Sequence, residues 1–291
     1  RTMRSIIQSG QFQQLNMQKK SKDELQEMGQ TFNQMIDLLE SNFARQEQFV
    51  SNASHELRTP LTVIESYASL LKRKGKTYPE LFEESVEAIH SEAVRMREMT
   101  EQLLLLAKST DQWEVSREVI ELSELVKETV QEFQQAHGRE VSFETGAAVE
   151  VVTDRNLLKQ LLFILLDNAR KYSDELIEVE IKAELAEPEI WVKDRGVGIA
   201  EQDLPKVFER YYRVDKARSR KTGGTGLGLA LAKAIAEAID AELNLQSQVG
   251  LGTIGIIRFK PKLLESDTAL SESKAPLENE QSEQKGVNRD E

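Results

Sequence analysis

Gly223-Gly224-Thr225-Gly226-Leu227-Gly228-Leu229 leads directly into Ala230-Leu231-Ala232, so four glycines within six residues open a strongly helix-forming run. Backbone N–H groups at such a helix start favour an anion, phosphate above all. No Lys-Ser or Lys-Thr pair follows the glycines, so this is not a P-loop. Nor does it sit directly after a strand, as the dinucleotide fingerprint would. The spacing predicts a glycine-led helix over Gly223–Ala241.

Two further segments upstream carry polar groups suited to the same kind of ligand. Asp194-Arg195-Gly196-Val197-Gly198-Ile199 follows a strand-like run, Glu189–Asp194. An Asp at a strand end accepts from an exocyclic amine such as that of adenine, and Gly196 and Gly198 allow close backbone approach. A plain glycine turn would read the same way. Leu165-Leu166-Asp167-Asn168-Ala169-Arg170-Lys171-Tyr172-Ser173 places Asn168, Lys171 and Tyr172 near one another at the end of a helix. An amide oxygen suits Mg²⁺, a lysine offers a point charge to phosphate, and a tyrosine offers a face to a base. A helix end with a polar rim is the alternative for this segment taken alone.

The surrounding pattern alternates between helical and strand periods. Ser123–Ala136 reads as a helix with Ser123 as N-cap and His137-Gly138 at its end, and Asp154–Tyr172 as a second helix. Short strands are expected at Val141–Phe143 and Glu150–Thr153, and longer ones at Ile177–Ala183, Glu189–Asp194, Leu243–Gln246 and Thr253–Phe259. Helices on one face of a mixed sheet make an α/β sandwich.

In this order and spacing the three segments resemble the Bergerat-type ATP-binding domain of the GHKL group, shared by histidine kinases, gyrase, Hsp90-type chaperones and the MutL repair proteins. The resemblance covers about residues 119–262. It implies ATP and Mg²⁺ as cofactors, with Asn168 as the Mg²⁺ ligand and Lys171 and Tyr172 beside it. Asp194, with Gly196 and Gly198, would read adenine, and Gly224, Thr225, Gly226, Leu227 and Gly228 would close over the phosphates. Phe208-Glu209-Arg210-Tyr211-Tyr212-Arg213 looks like the aromatic box of the histidine kinase lid, which would bring Arg213, with Arg210, toward the γ-phosphate. Two positions depart from the pattern. Ile164 stands where histidine kinases commonly carry a second Asn and the hydrolytic relatives a Glu, and Gly255 stands where an aromatic is usual.

The first hundred residues have a different texture. From Leu25 the apolar positions follow a heptad seam through Met28, Phe32, Met35 and Leu39. Two extra four-residue steps, to Phe43 and to Leu61, are stutters that locally unwind a coiled coil. Lys72–Gly75 ends this helix, Pro79 starts the next, and a second seam runs through Phe82, Val86, Ile89, Ala93, Met96, Leu103 and Leu106. A lone helical hairpin cannot bury both stripes, so a homodimer forming a four-helix bundle is expected.

His55 lies in Phe49-Val50-Ser51-Asn52-Ala53-Ser54-His55-Glu56-Leu57-Arg58-Thr59-Pro60-Leu61. With Ala53 and Leu57 on the seam, its imidazole points partly outward. Thr59 is on the same face and could position a water. Glu56 could accept from the ring, and Pro60 should kink the helix one turn below. An ordinary surface histidine is the alternative. The stretch closely resembles the phosphoacceptor box of HisKA-type dimeric histidine kinases, with the His-Glu-x-x-Thr-Pro core intact. That resemblance implies His55 as phosphoacceptor, Glu56 as its base and Thr59 in dephosphorylation of a partner. His90 and His137 are assigned to structure. Residues 1–39 are similar, more weakly, to the second half of a HAMP linker; a plain coiled coil is the alternative.

Together these resemblances identify a sensor histidine kinase of a two-component system. The class implies autophosphorylation of His55, transfer to an Asp of a cognate response regulator, and phosphatase activity toward it. The expected domains are 1–39 (HAMP-like linker), 40–107 (phosphotransfer hairpin), 108–118 (linker), 119–262 (ATP-binding domain) and 263–291 (acidic disordered tail). The net charge of -12 and the lack of a basic patch longer than a few residues make the chain a poor candidate for binding phosphate backbones, so no nucleic acid partner is expected. The absence of cysteine excludes disulfides and thiolate chemistry. No apolar run reaches the roughly 18–20 residues that span a bilayer. Because the chain opens on Arg1 inside a helical pattern, a fragment is expected: the cytoplasmic portion of a bacterial cell-membrane protein, attached through an upstream region. Two rivals stay open, a kinase-weak scaffold or phosphatase and a hydrolytic ATPase of the same fold.

Overall fold

The computed structural model describes residues 23–74, 78–108, 112–144, 148–183, 187–214 and 224–260. The expectations for residues 1–22, for Gly223 and for the acidic tail lie outside them.

Helix α1 (Asp23–Lys74) has 52 residues, a rod of about 78 Å. It runs without interruption through Pro60, which removes one backbone donor opposite the Glu56 carbonyl. Helix α2 (Pro79–Ala107) packs along it; Pro79 occupies the first turn, where its missing N–H costs nothing, and Glu80 meets the positive end of the helix dipole. In a single chain the seam of α1 is left bare: Met28, Phe43 and Val50 are 64%, 61% and 58% exposed.

Strand β1 (Glu118–Glu121), which was not among the expected strands, opens the second module and pairs antiparallel with β3 (Glu150–Thr153) in a two-stranded ribbon. Helix α3 (Leu122–His137) follows. Its N-cap is Glu121, not Ser123: the Glu121 carboxylate accepts from the N–H groups of Ser123 and Glu124, and the Ser123 side chain is buried. The helix ends at Gly138 in the left-handed conformation (φ 60), as expected of a C-terminal glycine.

The main sheet has the order β2-β4-β5-β7-β6, with β2 (Val141–Glu144), β4 (Ile177–Lys182), β5 (Glu189–Asp194), β6 (Ala241–Gln248) and β7 (Gly252–Phe259). Only the β2–β4 pair is parallel, so the sheet is mixed. Ile177, Val179 and Ile181 alternate inward with Glu178, Glu180 and Lys182 outward. On the covered face lie α3, α4 (Arg155–Tyr172) and α5 (Gly228–Ala238).

Helix α4 is the spine of the module. Leu158, Leu161, Leu162, Leu165, Leu166 and Ala169 form one buried helical stripe packed between α3, α5 and the sheet. Asp154 caps it, accepting from the N–H groups of Asn156 and Leu157 through Oδ1, while its Oδ2 accepts from Ser116 N at 2.8 Å. Trp113 packs against the same core and Arg117 pairs with Asp240. Helix α5 starts at Gly228 rather than Gly223, because Gly226 takes a positive φ of 73 that no helix residue can hold, and it stops at Ala238, just before Asp240 at φ 58. Gly255, opposite α4, is compensated by Leu165, whose methyl carbons lie 3.3 Å from the position of a Cβ there.

Candidate functional site

The C-terminal half of α4 is where the three polar segments meet. The Tyr172 carbonyl accepts from Val197 N at 3.3 Å, and the same oxygen leaves no space for a Cβ at Gly196. The Tyr172 hydroxyl faces Gly224, 3.6 Å from where a Cβ would stand. One helical turn earlier in sequence from Asn168, Ile164 packs its Cγ2 3.5 Å from the Cβ position of Gly228, at the start of α5. Tyr172, Gly196, Asp194, Gly224 and Gly228 therefore border a common region beside α4, whereas Gly198 is packed against the Gln248 carbonyl at the end of β6.

Each polar group there has an identifiable state. Asp194 accepts from Gly196 N (2.8 Å) and Thr253 N (3.3 Å), both through Oδ1, so Oδ2 remains able to accept from a ligand amine. Burial raises its carboxyl above the ordinary aspartate value, and the two amide donors only partly oppose this. The Asn168 amide nitrogen is buried without a hydrogen-bond partner among the described residues. Amide orientation is assigned from partners, so an oxygen could face the same space. A buried amide nitrogen with no partner fits a phosphate or water oxygen as its missing acceptor, and with the amide turned its oxygen would suit a hydrated cation. Lys171 is not a free cation: its Nζ lies 2.5 Å from Asp167 Oδ2, and Arg170 holds Oδ1 at 2.7 Å. Burial pushes the Asp167 carboxyl up, but Lys171 and Arg170 outweigh it and leave it below its ordinary range. Tyr172 is raised by burial, against the pull of the Arg213 charge.

In the glycine segment, Thr225 Oγ1 accepts from Leu227 N at 3.3 Å, and the Leu227 side chain is fully buried in the core. Leu227 thus anchors the loop rather than lining the ligand region. The N-terminus of α5 has no side-chain cap, so its first N–H groups are left for an anion.

The aromatic box lies against the hairpin. Tyr211 N donates to Gly226 O at 2.8 Å, and Tyr211 itself has a positive φ of 66. A Cβ at Gly226 would be 2.9 Å from the Tyr211 backbone, so only glycine permits this crossing. The Tyr211 ring stands 6.0 Å from Phe49 of α1, Arg210 lies 4.8 Å over that same ring, and Arg210 Nη2 donates to the Leu106 carbonyl at 2.7 Å. Arg213 is 3.7 Å from Glu56, and Lys233 of α5 lies over Phe208.

His55 is exposed and makes no hydrogen bond to a described residue; Thr59 is exposed likewise. Glu56, half-buried, faces Arg213. Phe49, Ser247 and Thr253 are contributors that sequence reasoning missed. Ser247 Oγ accepts from Ile199 N and reaches Gly252 and Thr253, which steadies the turn after Asp194. Phe49 could have been found from its place: it is a large aromatic beside the seam position Val50 but off the seam. A cleft of about 470 Å³, lined by Glu178, Lys193, Arg195, Gln246 and Ile254, reaches Asp194 from the outer sheet face. None of Asn168, Tyr172 or the 224–228 loop lines it, so it is distinct from the region beside α4.

A helical hairpin with an exposed histidine, followed by an α/β sandwich whose glycine loops border a polar helix end, defines a phospho-acceptor module joined to a nucleotide-binding one. Residues 45–112 match the family model of the His Kinase A (phospho-acceptor) domain, and residues 153–265 that of the histidine kinase-, DNA gyrase B- and HSP90-like ATPases. The chain belongs to the sensor histidine kinases of two-component systems. It is 47% identical over 259 residues to the sensor histidine kinase YkoH of Bacillus subtilis (strain 168), covering 89% of this chain and 57% of that one. It is 34% identical over 244 residues to the signal transduction histidine-protein kinase ArlS of Staphylococcus aureus (strain USA300), covering 81% and 54%. The chain thus spans about half the length of these curated relatives. Among solved structures, histidine kinase ThkA in complex with the response regulator protein TrrA aligns with a TM-score of 0.61 at 20% identity, covering 77% of this chain and 64% of that one. This likeness is one of fold.

Proposed function

We propose that this chain binds ATP beside α4 and autophosphorylates His55, and that the phosphoryl group then passes to an Asp of a response regulator. The observation that carries this reading is the convergence of Tyr172, Gly196 and Gly224 at one helix end, together with an exposed His55 on the hairpin. Asp194 Oδ2 would accept from the adenine amine, Tyr172 would face the base, and the α5 N-terminus and 224–226 loop would hold phosphate oxygens. Mg²⁺ held at Asn168 would neutralise the phosphates. A ring nitrogen of His55 attacks the γ-phosphorus in line as the β–γ bridging P–O bond breaks, and the ring proton passes to Glu56. Positioning and electrostatics supply most of the rate in such transfers. Arg213 would contribute charge at the γ-phosphate and Thr59 would serve the reverse, dephosphorylating reaction. Lys171, tied to Asp167, would act through that pair.

The bare seam of α1 supports a homodimer, and ThkA, solved with a response regulator, supports a partner of that kind. We further infer that residues 1–39 are part of a HAMP-like linker and that the whole protein is membrane-attached through a region upstream of it, leaving this portion in the bacterial cytoplasm. Incubation with γ-labelled ATP should label the protein with an acid-labile, base-stable group that disappears in His55→Gln. Label that survives His55→Gln would sink the proposal.

Ile164 favours a second reading. An apolar side chain packed under Gly228 gives neither an amide to the metal nor a carboxylate to activate water. It counts against a hydrolytic ATPase but is compatible with a kinase-weak scaffold or phosphatase. Dephosphorylation of a phosphorylated regulator by a chain that takes no label from ATP would select it.

A further inference from the structure

The chain leaving α4 is gripped by a side chain that belongs to none of the three polar segments. We propose that Arg139, on the connection between α3 and β2, is a positioning residue for the nucleotide: by holding the carbonyls just after α4 it sets the place of Tyr172 beside the base. The proposal rests on the nucleotide-binding reading above for the role of Tyr172.

Three observations carry it. First, β2 and β4 are parallel partners, with Val141 opposite Ile177. The connections that enter them, 138–140 from α3 and 173–176 from α4, therefore run side by side. Arg139 crosses from one to the other: its Nη2 donates to the Ser173 carbonyl at 2.9 Å and to the Glu175 carbonyl. Its own backbone is fixed on both sides, by the left-handed Gly138 that ends α3 and by Gln134 Nε2, which donates to the Val141 carbonyl at 2.9 Å. Second, α4 has no other cation to spare at this end. Arg170 and Lys171 stand in its last turn, but both pair with Asp167. Arg139 thus brings the charge that meets the negative end of the helix dipole. Ser173 is only 5% exposed, its N–H is spent on the Ala169 carbonyl, and its hydroxyl accepts from Glu175 N at 3.1 Å. A carbonyl at so buried a residue must shift to find a new donor once Arg139 is gone.

Third, Tyr172 lies between two holds. Its own carbonyl accepts from Val197 N, and the carbonyl of the next residue is the one that Arg139 grips. With both fixed, the ring is placed before a ligand arrives, its hydroxyl toward Gly224. Both carbonyls are reached by Nη2, at the tip of the side chain, while Nε is buried with no hydrogen-bond partner among the described residues, so the grip needs the full length of arginine. Arg139 makes no hydrogen bond to Asn168, Asp194 or the 224–228 loop. Its effect therefore passes through Tyr172 and falls on binding, not on phosphoryl transfer.

The test is equilibrium titration of Arg139→Gln with ADP, at a temperature where the variant is fully folded. Affinity should fall about fivefold or more, because the base side is no longer preorganised. In His55 labelling, KM for ATP should rise by a similar factor while the maximal rate stays within about twofold of the parent's. A role in stability alone would lower the melting temperature and leave ADP affinity and KM where they are. Arg139→Lys keeps the charge at the helix end but has a shorter reach, so it should recover part of the affinity and remain about twofold weaker than the parent. It carries the test if Arg139→Gln does not fold. Parental ADP affinity in the folded variant overturns the proposal. The two readings fail separately. If the parent itself binds no ADP, the nucleotide reading falls alone, and hydrogen exchange at the Val197 amide decides this one. That exchange should quicken in the variant without nucleotide, and an unchanged rate overturns the proposal.

Discussion

The carbonyl oxygen of Tyr172, at the last turn of α4, occupies the space that a side chain at Gly196 would need. The end of the helix and the turn after β5 are thereby locked backbone to backbone, with Val197 N bonded to that same oxygen. Gly196→Ala should push the two apart. The expected outcome is a destabilisation of about 1–3 kcal/mol by chemical denaturation, as for other overpacked sites, and at least tenfold weaker binding of an ATP analogue by titration.

Asp194 trades stability for binding. Its carboxyl is raised by burial, so its folded-state value exceeds the unfolded one. Its contribution to stability is therefore fully present at low pH and is lost as pH rises through the folded value. At neutral pH an uncharged replacement should relieve this cost, since an amide oxygen can still accept from Gly196 and Thr253. Asp194→Asn is expected to keep or raise the melting temperature while losing adenine-nucleotide binding. A melting temperature several degrees lower would contradict the assignment of burial as the dominant cause.

Asp167 has the opposite sign. Lys171 and Arg170 depress it, so the stability it contributes is present above its unfolded value and lost as pH falls through the lower folded value. Asp167→Asn should cost about 1 kcal/mol at neutral pH, given that Asp167 and its two partners are all partly exposed, and that difference from the parent should shrink below about pH 4. Denaturation curves at neutral and acidic pH check this. Freed from Asp167, Lys171 should also show greater reactivity toward amine-modifying reagents.

Leu165 and Gly255 form a complementary pair. Leu165→Ala should cost about 2–5 kcal/mol as a buried large-to-small change. Gly255→Val alone should be destabilising through overpacking, and the double variant should be less destabilised than the sum, with a coupling of about 0.5–3 kcal/mol in a double-mutant cycle. Strict additivity would mean that the two do not share space.

Much of this architecture was legible in local pattern. The alternation of Ile177, Val179 and Ile181 marked β4, the leucine stripe of α4 marked the spine, and the spacing of Asn168, Asp194 and Gly224 anticipated segments that do meet. What local pattern could not supply was everything fixed from a distance. Ser123 looked like a cap, but Glu121, placed by the pairing of β1 with β3, reaches the free N–H groups first. The helix expected from Gly223 begins at Gly228 because the crossing of Gly226 over Tyr211 requires a left-handed residue. Lys171 promised a free charge, but Asp167, one turn earlier, claims it. The contacts of Phe49 with Arg210 and Tyr211 span more than 150 residues of chain and leave no periodic trace.

The attachment of Trp113 and Ser116 to the ATP-binding module has a mechanical consequence. With Trp113 packed in the core and Ser116 N held by Asp154, both are anchored to the ATP-binding module, and Ala107 at the end of α2 stands six peptide steps before Trp113. Six peptide steps reach about 20 Å at full extension. Over so short a span, a nucleotide bound as proposed would reach a histidine chiefly by turning about the foot of α2 rather than by moving away from it. The direction in which the span leaves the bundle then selects which of two histidines in a dimer lies within its arc.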